Sequence, residues 1–138
     1  MLKAITQWIV NNTAAWTIPL VKGTTLQVGW RPTTAPDRCH LIAESGGGST
    51  VFDLADRVDK MIQILTRAPK YFDAEADAML LFALMNGTAG WQLPIVVAGN
   101  KYWGTAVQAV SAPQYLGIDE KGRHEFSTNY EWKIGDRD

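Results

Sequence analysis

The residues that could support catalysis are few and poorly spaced for it. The sequence contains two histidines, His40 and His124, and a single cysteine, Cys39. Cys39 and His40 are the residue types of a nucleophile–base pair, but neighbouring strand residues point to opposite faces and cannot easily bond each other. We expect instead a buried cysteine beside a partly exposed histidine. One cysteine and two histidines also match no zinc-binding spacing.

The acidic residues and the glycine cluster have structural explanations. Asp73, Glu75 and Asp77 crowd the start of a predicted helix, where negative charge is stabilising without a ligand. The charged residues of the stretch 119–123 flank a predicted turn and are expected to be solvated. The glycines at 46–48 are not followed by Lys-Ser or Lys-Thr, so they predict a flexible hairpin loop rather than a phosphate-binding loop. The sequence therefore predicts no catalytic, cofactor-binding or metal-binding residues, and no enzymatic activity.

The composition predicts one globular domain spanning residues 1–138. Of the 138 residues, 46% are hydrophobic and 20% are charged, which are ordinary values for a folded protein. A net charge of −1 without a basic run provides no electrostatic footprint for tight nucleic-acid binding. A single cysteine suits a reducing cytoplasm. The apolar stretch at residues 1–10 is too short for a signal peptide core, and no segment reaches membrane-spanning length, so we expect a soluble, unexported protein.

Hydrophobic periodicity predicts the order helix, three strands, helix, three strands. Residues 57–66 fit the spacing of either a helix or a strand, and their β-branched residues favour a strand. Asp73 is a suitable N-cap for the second helix, and Gly87 is placed to end it. A tight turn at residues 99 and 100 joins two of the later strands. The predicted elements are helix 2–12, strands 25–30, 39–44 and 57–66, helix 74–86, and strands 93–98, 102–111 and 126–134.

The last strand has the clearest pattern in the sequence. Phe126, Thr128, Tyr130, Trp132 and Ile134 alternate with polar residues, which is typical of a half-buried antiparallel strand. Its large side chains are expected to face the second helix.

Runs of neighbouring strands with a helix between them indicate an α+β fold. We expect a mostly antiparallel, mixed sheet with the helices packed on one face. In that arrangement Phe126, Tyr130 and Trp132 would pack against Leu81 and Phe82 of the second helix.

The number of tryptophans is high for a chain of this length. Two explanations remain open, a tryptophan-rich core with one or two exposed rings, or an interface shared between subunits, where aromatic residues are enriched. The six residues are Trp8, Trp16, Trp30, Trp91, Trp103 and Trp132.

Two regions of the sequence resemble a known family. Residues 66–74 read T-R-A-x-x-Y-F-D-A and precede an acidic helix and then G-W-Q-L-P at 90–94. Residues 113–130 contain P-x-Y-L-G, an acidic turn, G-R and F-S-x-N-Y. In this order the motifs resemble siphophage minor capsid or tail terminator (tail completion) proteins, over roughly half of the chain.

The resemblance implies a tail-terminator-like fold that assembles as a homo-hexameric ring. Such a ring caps the tail tube protein, joins the tail to head-neck connector proteins, and lets DNA pass through its lumen without specific binding. It requires no cofactor and no membrane, and it belongs to the virion tail or neck after assembly in the host bacterial cytoplasm.

Four residues are candidates for the subunit interface. Arg31 and Arg38 bracket a proline-containing loop that we expect to be exposed. Trp30 and Trp103 are two of the six tryptophans, whose high number could reflect an interface. An ordinary solvated loop is the alternative for the two arginines.

Two other functions remain as alternatives. A connector or stopper on the head side of the neck is also small and ring-forming. A small-ligand-binding or enzymatic α+β domain is the alternative outside virion structure, and a deep polar pocket would favour it.

Overall fold

The computed structural model of the chain describes residues 2–45, 49–51, 54–87, 91–94 and 101–137. Their elements are α1 (Leu2–Thr13), β1 (Leu26–Val28), β2 (Cys39–Glu44), β3 (Ser49–Val51), β4 (Leu54–Ala68), α2 (Tyr71–Met85), β5 (Trp91–Gln92), β6 (Lys101–Ala109), β7 (Gln114–Ile118) and β8 (His124–Arg137). The glycine loop predicted at 46–48, the turn predicted at 99 and 100, and most of the predicted strand 93–98 lie outside the described residues. No helix in the described segments is long and apolar enough to cross a membrane.

Two long antiparallel strands form the centre of the sheet. β4 and β8 contain 15 and 14 residues and pair over twelve consecutive positions, from Arg57 opposite Gly135 to Ala68 opposite His124. β-Branched residues in β4 and alternating aromatic residues in β8 both favour extended structure. The strands predicted at 57–66 and 126–134 are confirmed, and both extend beyond their predicted ends.

Shorter strands flank this central pair on both sides. β2 and β3 lie end to end along β4, and β6 and β7 lie end to end along β8. β1 extends the sheet beyond β2, and β5 extends it beyond β6. All of these pairs are antiparallel except β1–β2, which is parallel. The predicted α+β fold with a mixed, mostly antiparallel sheet is confirmed.

The core lies between the two helices and one face of the sheet. It contains Ile5 of α1, Leu81 of α2, and Tyr130 and Trp132 of β8, all of them buried. The rings of Trp8 and Trp132 meet edge to face with their centroids 5.6 Å apart, an arrangement that the charge distribution of aromatic rings favours. The alternation predicted for β8 is therefore confirmed.

The predicted contacts of β8 with α2 are confirmed only in part. Leu81 belongs to the main core, whereas Phe82 is half-buried and lies outside it. Phe126 packs in a smaller cluster with Ala74 and Ala78 of α2. Small alanines at these positions let the first half of α2 lie close to the sheet.

α2 begins at Tyr71, three residues before the start predicted from Asp73 as the N-cap. The predicted N-cap, Asp73, lies inside the helix, and the N-cap is Lys70, whose side chain makes no capping hydrogen bond. Asp73 still lies in the first turn, where its charge complements the helix dipole. The predicted end is confirmed, because Gly87 follows the C-cap Asn86 with a φ of 82°, a left-handed conformation that favours glycine.

The first strand is shorter than predicted. Only Leu26–Val28 is strand, and the apolar residues of the predicted segment 25–30 do not share a buried face, because Leu26 and Gln27 are buried while Val28 and Trp30 are exposed. Gly29 has a φ of 81°, which turns the chain away from its extended course directly after Val28. Trp30 therefore does not continue the strand.

The segment before the last turn is a strand that the sequence pattern did not predict. Residues 113–117 suggest only an ordered approach to the terminal strand, but β7 pairs there with β8. The predicted turn that follows is confirmed. The Asp119 N–H donates to the Arg123 carbonyl at 2.9 Å, and the Gly122 N–H donates to the Asp119 carbonyl at 3.0 Å.

The core position of Trp132 leads to a stability prediction. Trp132→Ala removes a fully buried indole and should lower the free energy of unfolding by about 3–5 kcal/mol, measured by urea denaturation. The control is Val110→Ala, because that side chain is exposed and its truncation should change the value by less than about 0.5 kcal/mol. Equal effects of the two substitutions would contradict the burial of Trp132.

Candidate assembly surface

The connection between the parallel strands β1 and β2 is held by a buried arginine. Since both strands run in the same direction, residues 29–38 must carry the chain back to the start of β2. The Arg67 guanidinium donates to the carbonyl oxygens of Pro36 at 2.7 Å, Asp37 at 3.3 Å and Ala35 at 3.4 Å. Burial lowers the pKa of Arg67, and these carbonyl oxygens compensate for the loss of water around its charge.

Two further arginines connect the same loop to the rest of the protein through ion pairs. Arg31 binds Glu125 of β8 at 2.7 Å, and Arg123 binds Asp119 at 2.7 Å and Asp37 at 3.1 Å. Arg31, Arg123, Asp119 and Glu125 are all largely shielded from solvent. The expectation of solvated charges is therefore wrong for Asp119 and Arg123, which form an ion-pair network with the loop, whereas Glu120 is exposed as expected.

Arg38 connects the other end of the loop to α2. Its Nε and Nη2 donate to the two carboxylate oxygens of Asp77 at 2.7 Å and 2.8 Å, and its Nη1 lies 3.8 Å from an oxygen of Asp73. The hydrogen bond with Asp77 raises the pKa of Arg38. The acidic start of α2 is thus partly neutralised within the molecule.

The four predicted interface residues do not form one cluster. Arg31 and Arg38 are engaged in ion pairs within the chain. Trp30 is 70% exposed. The backbone of Trp103 pairs with Gln92 in β5 and with β8, and its side chain lies outside what the structure describes. Their role in an interface stays a prediction, and among the three whose side chains the structure describes, Trp30 is the one left exposed and outside any ion pair.

Cys39 and His40 are both buried and occupy consecutive positions of β2. The expectation of a partly exposed His40 is wrong. Its Nδ1 lies 2.9 Å from the Thr66 hydroxyl, which satisfies it inside the protein. Burial lowers the pKa of His40 to about 4, while Asp77 raises it and Arg38 lowers it further. Neutral, enclosed and paired with a hydroxyl, His40 stabilises the fold.

A cavity of about 390 Å³ opens between residues 15–20, β2 and α2. Ile18 and Leu80 contribute to its mainly apolar lining, and the Arg38–Asp77 ion pair also lines it. Since those two charges neutralise each other, the cavity suits an apolar side chain better than it suits acid–base chemistry. The described residues contain no group of three His, Cys, Asp or Glu side chains that could hold a metal ion.

Large apolar side chains are exposed in three groups, around β1, on α2 and near β7. Exposed apolar surface of this extent marks sites of interaction in soluble proteins. The groups are Ile18, Val21, Val28 and Trp30; Tyr71, Phe72, Met79 and Leu80; and Val110, Tyr115, Leu116 and Ile118.

α2 is apolar on its outer side as well as its inner side. Its inner side is buried against the sheet through Ala74, Ala78, Leu81 and Met85. Its outer side exposes Phe72, Ala76, Met79 and Leu80, which we call the helix stripe. Surface helices are usually polar on their outer side, whereas a helix that is apolar all round is normally buried. The sequence contains this signal, which a search for catalytic residues does not detect.

β7 adds a second exposed apolar element. Tyr115, Leu116 and Ile118 are all exposed, and among the described strands β7 pairs only with β8. The Tyr115 ring lies 5.1 Å from that of Tyr71, and its hydroxyl lies 2.8 Å from Nδ1 of His124. These contacts join the start of α2 to the edge of the sheet. The most prominent feature of the surface is apolar area rather than reacting groups.

Residues 23–135 match a protein family described as bacteriophage tail terminator protein. The chain belongs to the bacteriophage tail terminator family. The match runs from just before β1 into β8 and includes α2, so it confirms the resemblance found in the motifs of residues 66–94 and 113–130. Tail terminator proteins are structural components of the phage tail, and the virion tail is where this chain functions. No curated protein matches the chain.

Burial of His40 leads to a pH prediction. In the folded protein His40 stays neutral down to pH about 4, whereas the unfolded chain takes up this proton near pH 6.5. The unfolded state therefore binds more protons between these values, and the free energy of unfolding should fall by about 3 kcal/mol as the pH drops through that window. Urea denaturation at pH 7 and pH 4.5 should show a smaller fall for His40→Gln. Equal falls in the two proteins would contradict the neutral, buried histidine.

Proposed function

We propose that this chain forms a homo-hexameric ring that caps the head-proximal end of a completed tail tube. The ring halts the addition of tube subunits and makes the tail competent to join the head. The observation that carries this proposal is the match of residues 23–135 to the tail terminator family. The three groups of exposed apolar side chains support it, because they provide the contact area that assembly requires.

A ring is suited to ending a tube. Head-to-tail contacts between identical subunits close on themselves, which stops growth around the axis and leaves two chemically different faces. One face seals the tube and the other binds a different partner. A net charge of −1 favours this arrangement, since strongly charged subunits would repel one another when crowded around a ring.

The proposed partners follow from this position. The tail tube protein binds one face, head-neck connector proteins bind the other, and DNA passes through the lumen without specific binding. Assembly takes place in the host cytoplasm, where the buried thiol of Cys39 stays reduced. We infer that the protein carries out no reaction, because His40 is buried and bonded to the Thr66 hydroxyl and the Arg38–Asp77 pair is internally neutralised.

Removal of the protein tests the function directly. Tails assembled without it should form tubes of uncontrolled extra length that fail to join heads, because nothing ends the addition of tube subunits. Electron microscopy of these tails measures tube length and head attachment. Adding back the purified chain is the control, and it should restore a single tail length.

A different result would support the head-side alternative. Tails of normal length on particles that leak DNA at the neck would contradict a tail terminator. That outcome would favour a connector or stopper on the head, since the tube would then have ended without this protein.

A further inference from the structure

The helix stripe carries negative charge beside its apolar side chains. Within Tyr71–Met85 there are three acidic residues and no basic residue. Arg38 neutralises Asp77, but Glu75 is exposed on the same side as Phe72 and Met79. A partner for this surface should therefore be apolar with positive charge at its margin.

A second copy of the same helix does not meet that requirement. Packing two α2 helices against each other would bring Glu75 of each copy close to the acidic residues of the other. Like charges in an interface oppose association. The complementary surface must come from a different part of the molecule.

The N-terminal quarter of the chain has the required character. Residues 2–36 contain three basic residues and no acidic residue. Arg31 is used by Glu125, whereas Lys3 and Lys22 are exposed and form no ion pair with the described residues. The Lys22 backbone forms an isolated bridge with Leu26 at the start of β1, and its Nζ donates to Oε1 of Gln7 in α1 at 3.1 Å.

Exposed apolar side chains accompany this positive charge. Val28 at the end of β1 and Val21 and Trp30 on either side of the strand in the sequence are exposed, and we call these three residues the β1 patch. The patch contains a large exposed indole, and Lys22, which follows Val21 in the sequence, adds an exposed positive charge at its margin. Tryptophans of this kind are the residues that most often dominate the binding energy of an interface.

We propose that the helix stripe of one copy packs against the β1 patch of the next copy. In this contact the apolar side chains of the stripe meet those of the patch. The positive charge of Lys22 in one copy can then compensate for the negative charge of Glu75 in the other. The cavity beside Leu80 and Ile18 is large enough to receive an aromatic side chain such as Trp30. This inference rests on the ring proposed above and identifies the two surfaces that join its subunits.

The two surfaces differ, which gives the contact a direction. Each copy uses its stripe toward one neighbour and its β1 patch toward the other, so the contact repeats head to tail and can close into a ring. β7, with Leu116 and Ile118, remains uncovered by this contact and available to another component.

Disulfide trapping tests the contact in both the free protein and assembled tails. In a Cys39→Ser background, one variant carries Ala76→Cys in the stripe and a second, size-tagged variant carries Val28→Cys in the β1 patch. Both substitutions leave Phe72, Met79 and Trp30 in place. A disulfide requires Cα atoms within about 7 Å, so only adjacent positions cross-link.

The mixture should give a cross-linked heterodimer, and neither variant alone should give a comparable homodimer. Adding Trp30→Asp to the Val28→Cys chain should reduce the product at least tenfold, which corresponds to about 1.4 kcal/mol. Val110→Asp in the same chain is the matched control, since Val110 is exposed outside both surfaces and its change should leave the yield unaltered.

Three outcomes would overturn the proposal. A strong Ala76→Cys homodimer would indicate that α2 pairs with itself. A cross-link from Ala76→Cys to the tube protein instead of a second copy would assign the stripe to the tube. Tails of normal length that contain the two variants but no cross-linked heterodimer would refute this interface and leave tail termination intact. Tails of normal length assembled without the protein would instead refute the proposed function.

Discussion

The twelve paired positions between β4 and β8 are the constraint on which the other contacts depend. Their register places Ile62 opposite Tyr130 on the face covered by the helices, and Arg67 opposite Glu125 on the other face. Because side chains alternate along a strand, a slip of one residue would exchange these two sets. The core and the arginine contacts of the loop at residues 29–38 would then be lost together.

The two faces of this central pair have different functions in the structure. The face toward the helices is apolar and forms the core, so α1 and α2 are fixed by burial. The opposite face presents Arg67, Glu125 and their neighbours, which hold the loop through hydrogen bonds and ion pairs. Since the inner side of α2 is occupied by the sheet, its outer apolar side, with Phe72, Met79 and Leu80, is left exposed.

The sequence predicts those parts of the fold that depend on local pattern. The alternation in β8 and the terminal Gly87 of α2 could be read directly because neighbouring residues determine them. The errors at His40 and at the turn 119–123 have another cause. Arg31–Glu125 and Arg123–Asp37 join residues 94 and 86 positions apart, and no local pattern reveals such pairs. The stripe on α2 was visible in the sequence, but its exposure became clear only once the buried side of the helix was known.

The long central pair also affects how the chain folds during synthesis. Residues that pair between β4 and β8 are separated by 56 to 78 positions in the sequence. At translation rates of about 5–20 residues per second, β4 waits roughly 3 to 15 seconds for its partner. Until β8 emerges from the ribosome, the edge of β4 that pairs with β8 has no neighbouring strand. The apolar face of β4, which includes Ile62 and Ile64, is then incompletely covered. In the ring proposed above, a subunit would therefore become competent to associate only after the ribosome has passed β8, which would delay association of incomplete chains.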